Sequence, residues 1–466
     1  MLKKPWFGLL CLVAFALGTR FWQIDGLSDV VFDEVYYPTF AQNYLRGEPL
    51  FDAHPPLAKY MIALGIQILG YHPLGYRWMS ALAGAMVPVI VYALVRAVGG
   101  KHRWAWLAGW FTALDGLLLV ESRYGLINIY VVFFGLCAHL TTAWAIRARS
   151  WQRRWLWTIA AGIFLGATVS AKWTGLGYGI ALIGLVAMLW GRFRQLPSFP
   201  QVIIGGVILP MAVYWLQWLP HLDFNAPRTI MEIHQQIFNF HQNLGVDATE
   251  PVHPYCSSWW TWPLLLRPVV YLYHEAKPPQ FLMHFVAGMG NPFLYWFGLT
   301  AIVMTGGVLG LQIWQGIAKA LTVQIAKLGG SRQYDSNITI DPANDLATDR
   351  PDAYHATPKR PPKISWLGFY LVFSYAANWL PWSLNRRCVF LYHYMPASVF
   401  AFIALALVVQ TCAHYAKYQQ DHLAKIISYG IPAIVSLSFL VWLPIYIGLP
   451  ISPIHWRMLM WLPSWI

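Results

Sequence analysis

The chain has 466 residues, of which 58% are hydrophobic and 11% charged, with a mean hydropathy of +0.46. Apolar windows of about 20 residues, enough to cross a bilayer as helix, recur along nearly all of it, so a set of soluble domains is excluded. The formal charge of +13 would ordinarily raise nucleic acid as a partner, but the placement of the charges argues against one.

Lys3 and Lys4 precede an apolar run from about Trp6 to Thr19, in which Ala14-Phe15-Ala16 also fits a signal-peptide cleavage pattern. Cleavage there would detach the loop that follows from its anchor, so the run is read as an uncleaved first span with a cytoplasmic N-terminus. The loop from 25 to 73 holds six acids between Asp25 and Asp52, including the adjacent pair Asp33 and Glu34. A His54-Pro55-Pro56 turn and Lys59 follow. Further spans are expected at about 74–95, 104–120 and 126–146, then two that are broken around Ala171–Gly175 and end at Arg192 and Arg194. A span at about 202–219 opens into a long loop, 220–280, and a span at about 293–314 leads to a polar stretch rich in Pro, Asp, Asn and Thr. Spans at about 364–380, 390–409 and 426–447 complete the set.

The chain therefore reads as an all-α polytopic membrane protein with about 11 spans, an internal N-terminus and an external C-terminus. Its expected organisation is a membrane module, 1–316, carrying external loops 25–73 and 220–280; a flexible cytoplasmic loop, 317–365; and a second membrane module, 366–466. The Asn337 glycosylation sequon would be without meaning on the cytoplasmic side. The segments assigned to the cytoplasm carry 20 Lys and Arg against 6 Asp and Glu, and the rest of the chain 12 against 13. That is the positive-inside bias, so the basic balance reflects topology. The five cysteines are scattered and odd in number, supporting neither a zinc site nor a disulfide framework. No heptad array or repeated period is present.

This orientation gathers the acidic loop, Glu121-Ser122-Arg123, Lys172, the 220–280 loop and Asn385-Arg386-Arg387 at the external face. Each has a plain reading as well. The acidic loop would simply be solvated, Lys59, Arg77 and Lys172 would snorkel, and Trp259, Trp260 and Trp262 would form an interfacial belt. Arg386 and Arg387 are harder to dismiss, because two arginines at an external boundary oppose the charge bias, and forked guanidinium groups grip phosphate.

Asp33-Glu34-Val35, followed some 20 residues later by HPPLAK, resembles the first external loop of protein O-mannosyltransferases, membrane enzymes of the GT-C class that use polyprenyl-phosphate sugars. Further blocks keep the same order: RxxSxxxG at Arg77, an SRxxLxD-like region at Arg123, Lys172-Trp173-Thr174-Gly175-Leu176, HxYxSxWxxWP from His253 to Pro263, Asn291-Pro292, and RxxFxYHYxP from Arg387. One position departs, since Asn128 stands where the pattern has Asp. The resemblance implies a GT-C fold and inverting transfer of a hexose, mannose by expectation, to Ser or Thr hydroxyls of translocating proteins, with no metal or other cofactor required. It implies Asp33 as base and Glu34 as its positioning partner, the repulsion between adjacent acids raising at least one pKa. Arg387 foremost, with Arg386, His393, Arg77, His54, Lys59 and Arg123, is expected at the donor phosphate. Trp259, Trp260, Trp262 and Asn291 are expected at the acceptor. The partners implied are the bilayer, the lipid-linked donor, an acceptor polypeptide and the secretion machinery, at the inner membrane with an external active site. About 60 residues in the 220–280 loop are too few for the β-trefoil domain that eukaryotic relatives carry there. The alternatives are a GT-C transferase acting on a lipid or glycan, as aminoarabinose transferases do, and a transporter. A transporter would place ionisable residues in mid-span.

Overall fold

The computed structural model describes residues 5–243, 253–275, 281–329 and 365–466. Every expected span has a helical counterpart. Among the described residues, seven helical segments are long and apolar enough to cross a membrane. Helix α1 (Pro5–Phe21) is apolar but shorter, and it packs on α4 (Pro73–Ala97) and α5 (His102–Ala113) through the buried Leu12 and Ala16.

The loop expected from 25 to 73 is largely helical. After a 3-10 turn, Phe32–Val35, come α2 (Tyr37–Arg46) and α3 (Leu57–Leu69). Helix α2 buries Tyr37, Ala41 and Tyr44 along one stripe and ends at Gly47, whose φ of 68° is the left-handed conformation glycine adopts without strain. Helix α3 is apolar, but 13 residues rise only about 20 Å, short of the roughly 30 Å hydrocarbon core, so it packs against α4 without spanning.

The span expected at 104–120 is two helices, α5 and α6 (Gly116–Arg123). The chain restarts at Asp115, whose carboxylate caps the Leu118 N–H at 3.0 Å. Helices α7 (Asn128–Arg147), α8 (Trp151–Ala171) and α9 (Leu176–Phe193) follow, the last two separated by Lys172 and the turn Trp173–Gly175. The next span is α10 (Phe199–Ile203), a π turn (Ile204–Ile208), α11 (Leu209–Leu216) and α12 (Trp218–Phe224). The π turn precedes Pro210, which has no N–H to give the regular ladder. Amphipathic α13 (Ile230–Asn243) then lays Ile233 and Ile237 on Trp218.

Two strands in the loop region, β1 (Val269–His274) and β2 (Met283–Gly288), pair antiparallel, and β2 pairs with β3 (Pro450–Ile451) from the far end of the chain. This small sheet is an addition to the expected all-α architecture. Helix α14 (Pro292–Gly329) runs well past the expected end at Trp314 and takes up the start of the segment expected to be a flexible loop from 317. Gly316 is a stop signal that the helix overrides, because Ile317-Ala318-Lys319-Ala320-Leu321 beyond it is dominated by good helix formers. The rest of that segment, including Asn337, lies outside the described residues. The chain closes with α15 (Trp366–Trp379), α16 (Met395–Gln419), α17 (His422–Ile447) and α18 (Pro453–Leu459).

The segments sort by depth. The most apolar windows of α4, α7 and the α16 segment are 72%, 83% and 72% buried, whereas that of Phe199–Phe224 is 6% buried. The first three form the centre and the last lies on the outside. Exposed Ile183, Val207, Met211, Leu216, Val303 and Leu437 form an apolar exterior that is stable in lipid. The protein is a multi-pass membrane protein.

Candidate active site

The site grows from the Phe32–Val35 turn. Phe32 has a φ of 52°, a strained value for a residue with a side chain, and its ring stacks on Tyr271 of β1 at 4.6 Å. The turn sends the two neighbouring acids apart. Glu34 points inward and accepts from Arg77 at 2.7 and 2.8 Å, from the Gly125 N–H at 2.7 Å and from the Val31 N–H at 3.1 Å. Asp33 is only half-buried and accepts a long hydrogen bond from the Tyr37 hydroxyl, 3.4 Å. Burial pushes the Asp33 carboxyl up to about 6, while the nearby Lys172 charge and Tyr37 restrain the rise. Desolvation therefore replaces the expected repulsion between neighbours as the cause.

Four expected ligands of the phosphate or acceptor are engaged elsewhere, though Arg123 Nε is buried without a partner among the described residues. The five N–H groups of Arg77 go to Glu34 and to the carbonyls of Ile24, Leu27 and Asp29, leaving none for a phosphate. Lys59 spends its three protons on Asp52 at 2.6 Å and on the carbonyls of Pro55 and His54. Arg123 clasps the carbonyls of Thr19, Arg20, Trp22 and Gln23, where α1 ends and its dipole is negative. Asn291 caps α14 at Leu294 and donates to Leu114 and Val435.

Trp262 is buried, stacked on His393 with its Nε1 donating to Ser257 at 2.9 Å, and Trp259 packs on Trp379. Trp260 is 54% exposed, the one of the three open to an acceptor. His393 is wedged against Trp382, 4.3 Å between ring centroids, and its Nδ1 bonds the backbone of Phe390. Arg386 is exposed.

A different set of side chains surrounds open space. Lys172, Arg387, His54, His241, Asn378 and Trp173 line a cavity of about 520 Å³, with Leu176, Ile180, Phe238 and Pro381 supplying apolar walls. Arg387 is half-buried, and its guanidinium makes no hydrogen bond to any described residue; burial lowers its pKa. Burial, then Arg387, brings the Lys172 ammonium down to about 8, while Asp33 and Glu121 hold it up. His54 stacks on His241 at 5.1 Å, and burial with the surrounding cations keeps it neutral. His241 bonds the Ala53 carbonyl through Nε2, which leaves Nδ1 a buried acceptor without a partner. Asn378 Oδ1 is likewise buried and unpaired. Two cations and two unused acceptors thus share one partly apolar cavity.

Lys172 joins this cavity to Asp33. Its ammonium donates to Asn128 Oδ1 at 3.0 Å and lies over the Tyr392 ring, and Asn128 in turn contacts Glu121. Sequence reasoning put Glu121 at the external face without a role and passed over Tyr271 and His241, whose significance is visible only once distant segments meet. It also missed a disulfide, Cys256–Cys388, with a Cα separation of 5.2 Å and a sequence separation of 132. This bond and Ser257 N–H to Val389 O at 2.8 Å tie the Trp-rich loop to the Arg387 segment. The spacing of the cysteines gave no sign of it.

Over 100% of this chain and 93% of the other, the fold matches the S. cerevisiae protein O-mannosyltransferase Pmt1-Pmt2 complex bound to the sugar donor, with a TM-score of 0.75 at 16% identity. It matches ArnT from Cupriavidus metallidurans bound to undecaprenyl phosphate more loosely, with a TM-score of 0.52 at 13% identity over 96% and 73% of the two chains. The fold, with a cationic cavity beside a carboxylate, is that of a GT-C membrane glycosyltransferase. The family profile of dolichyl-phosphate-mannose-protein mannosyltransferase matches residues 10–76 and 73–225, and that of the C-terminal four TMM region of protein-O-mannosyltransferase matches 227–338 and 345–465. Polyprenol-phosphate-mannose–protein mannosyltransferases of Corynebacterium glutamicum and Mycolicibacterium smegmatis are 27% and 23% identical, over 97% and 99% of this chain and 92% and 93% of theirs. The chain belongs to the protein O-mannosyltransferase family.

Proposed function

We propose that the protein transfers mannose from a polyprenyl-phosphate carrier to Ser or Thr hydroxyls of polypeptides as they leave the cell. The observation that carries this reading is the placement of Lys172. It faces a cavity with cations for a phosphate, unpaired acceptors for sugar hydroxyls and apolar walls for an isoprenoid, while its charge also reaches Asp33. In the reaction, the acceptor oxygen attacks the anomeric carbon as Asp33 takes its proton. The bond from that carbon to the phosphate oxygen breaks, its electron pair leaves with the phosphate, and the configuration inverts. Lys172 and Arg387 stabilise the departing charge.

Family membership favours this reading over transfer to a lipid or glycan. The disulfide, which persists in oxidising compartments, and the charge bias both support a site on the external face of the inner membrane, beside the secretion machinery. Apart from the lipid-linked donor, the steps above call on no other group.

Asp33 must be deprotonated and Lys172 protonated, so kcat/KM should fall below about pH 6 and above about pH 8. With labelled polyprenyl-phosphate-mannose and a Ser/Thr peptide, Asp33→Asn should lower transfer by roughly 10²–10⁴ and leave donor binding intact. Near-normal turnover by a folded Asp33→Asn protein would refute Asp33 as the base.

A further inference from the structure

Glu121 lies on α6 and Asn128 begins α7, and between them they connect the β-sheet to Lys172. The Tyr271 hydroxyl of β1 donates to Glu121 Oε1. The Asn128 amide Nδ2 lies 3.3 and 3.2 Å from the two carboxylate oxygens, and Asn128 Oδ1 accepts from Lys172 Nζ at 3.0 Å. The direction of this chain is forced by its ends. An ammonium can only donate and an ionised carboxylate can only accept, so the amide oxygen must face Lys172 and the amide nitrogen must face Glu121.

We propose that Glu121 and Asn128 act together as the positioning pair for Lys172, the carboxylate locking the amide so that its oxygen holds the ammonium between Asp33 and the cavity. Neither touches a reacting atom. The inference rests on the transfer reaction proposed for this site and adds residues whose role is electrostatic and orientational. Glu121 is completely buried, and burial pushes its carboxyl up to about 7 while the Tyr271 and Asn128 donors restrain the rise, so the carboxylate is ionised in the alkaline range where Lys172 titrates. The groups facing Lys172 are Arg387 and Lys59, which oppose its charge, Asp33 and Glu121, which favour it, the imidazoles of His54 and His241, which burial and the nearby cations keep neutral, the imidazole of His393, and the Tyr392 ring. Removing the Glu121 charge should therefore deprotonate Lys172 at a lower pH.

The pair also makes a reversal possible. In Glu121→Gln with Asn128→Asp, the Tyr271 hydroxyl still donates to residue 121. Residue 121 now donates to residue 128, and Lys172 meets the carboxylate directly. Every hydrogen bond survives with its middle link reversed, and the net charge is unchanged. In Asn128→Asp alone two carboxylates face each other with no proton between them, and in Glu121→Gln alone the charge is lost.

The test is a double-mutant cycle with two readouts, transfer against pH and binding of undecaprenyl phosphate without turnover. Each single change should cost about tenfold or more in kcat/KM, and the double variant should recover to within about threefold of the parent, since contacting residues couple strongly. The alkaline limb should move down in Glu121→Gln and return in the double variant. Tyr271→Phe, which weakens the ionised form of Glu121 while keeping the ring, should shift it the same way by less. Multiplying losses in the double variant, or an alkaline limb unmoved in both Glu121→Gln and Tyr271→Phe, would overturn the pair. Should Glu121→Gln fail to fold, the double variant and Tyr271→Phe still decide the matter. If the parent protein transfers no mannose, the proposed reaction fails, and undecaprenyl phosphate affinity across the cycle still tests the positioning role: weaker in each single variant and restored in the double supports it, and additive losses reject it.

Discussion

Arg77 and Arg387 are the same residue type put to opposite use, and the number of unused N–H groups separates them. Arg77 is buried with all five engaged, so Arg77→Ala would strand Glu34 without its counter-charge and cost about 3–5 kcal/mol of stability. Arg387 has no acceptor for its guanidinium among the described residues and faces the cavity, so Arg387→Ala should weaken donor use by about 2–5 kcal/mol while the fold holds. Thermal unfolding and donor KM, measured on both variants, check this; a destabilised Arg387→Ala with unchanged KM would reverse the assignment. Sequence position had put both arginines at the phosphate, because nothing in a linear chain reveals that the carbonyls of Ile24, Leu27 and Asp29 converge on Arg77. The acidic pair has the same lesson. Asp33 and Glu34 are indistinguishable neighbours until a 3-10 turn points one at a salt bridge and leaves the other half-buried with only a long hydrogen bond from Tyr37.

At the scale of elements, the helices were legible because a membrane demands long apolar runs, and those runs are contiguous in sequence. The sheet was not. Val269-Val270-Tyr271-Leu272-Tyr273-His274 carries β-formers, but what makes it a strand is pairing with residues 283–288, which in turn pair with 450–451. The disulfide is equally non-local. Closing 132 residues stabilises a chain by about 2–5 kcal/mol in the chain-entropy account, and here it also anchors the segment that presents Arg387. Replacing Cys256 and Cys388 by Ser should therefore lower the inactivation temperature and raise donor KM. Thiol alkylation provides the check: both cysteines should react only after reduction, and labelling of either in the untreated protein would remove the bond from the account.

For the whole molecule, charge bias and span order together predict which face each loop occupies. In a background with Cys11, Cys137 and Cys412 replaced by Ser, Glu48→Cys should react with an impermeant reagent added outside cells, and Arg149→Cys only after permeabilisation, both sites being exposed. Equal labelling of the two from outside would overturn the orientation. An expectation of sidedness could be drawn because lysines and arginines bias it locally, whereas the cavity required α9, α13, α15 and the segments carrying His54, Lys172 and Arg387 to assemble. The three-stranded sheet adds a matter of timing. Tyr271, which holds Glu121, sits on a hairpin whose outer edge is closed by β3, and Arg267 just before that hairpin donates to the carbonyls of Ser464 and Ile466. Residues 450–466 leave the ribosome after every described membrane helix has been made. The sheet that carries Tyr271 is therefore completed only after the described membrane helices have been synthesised.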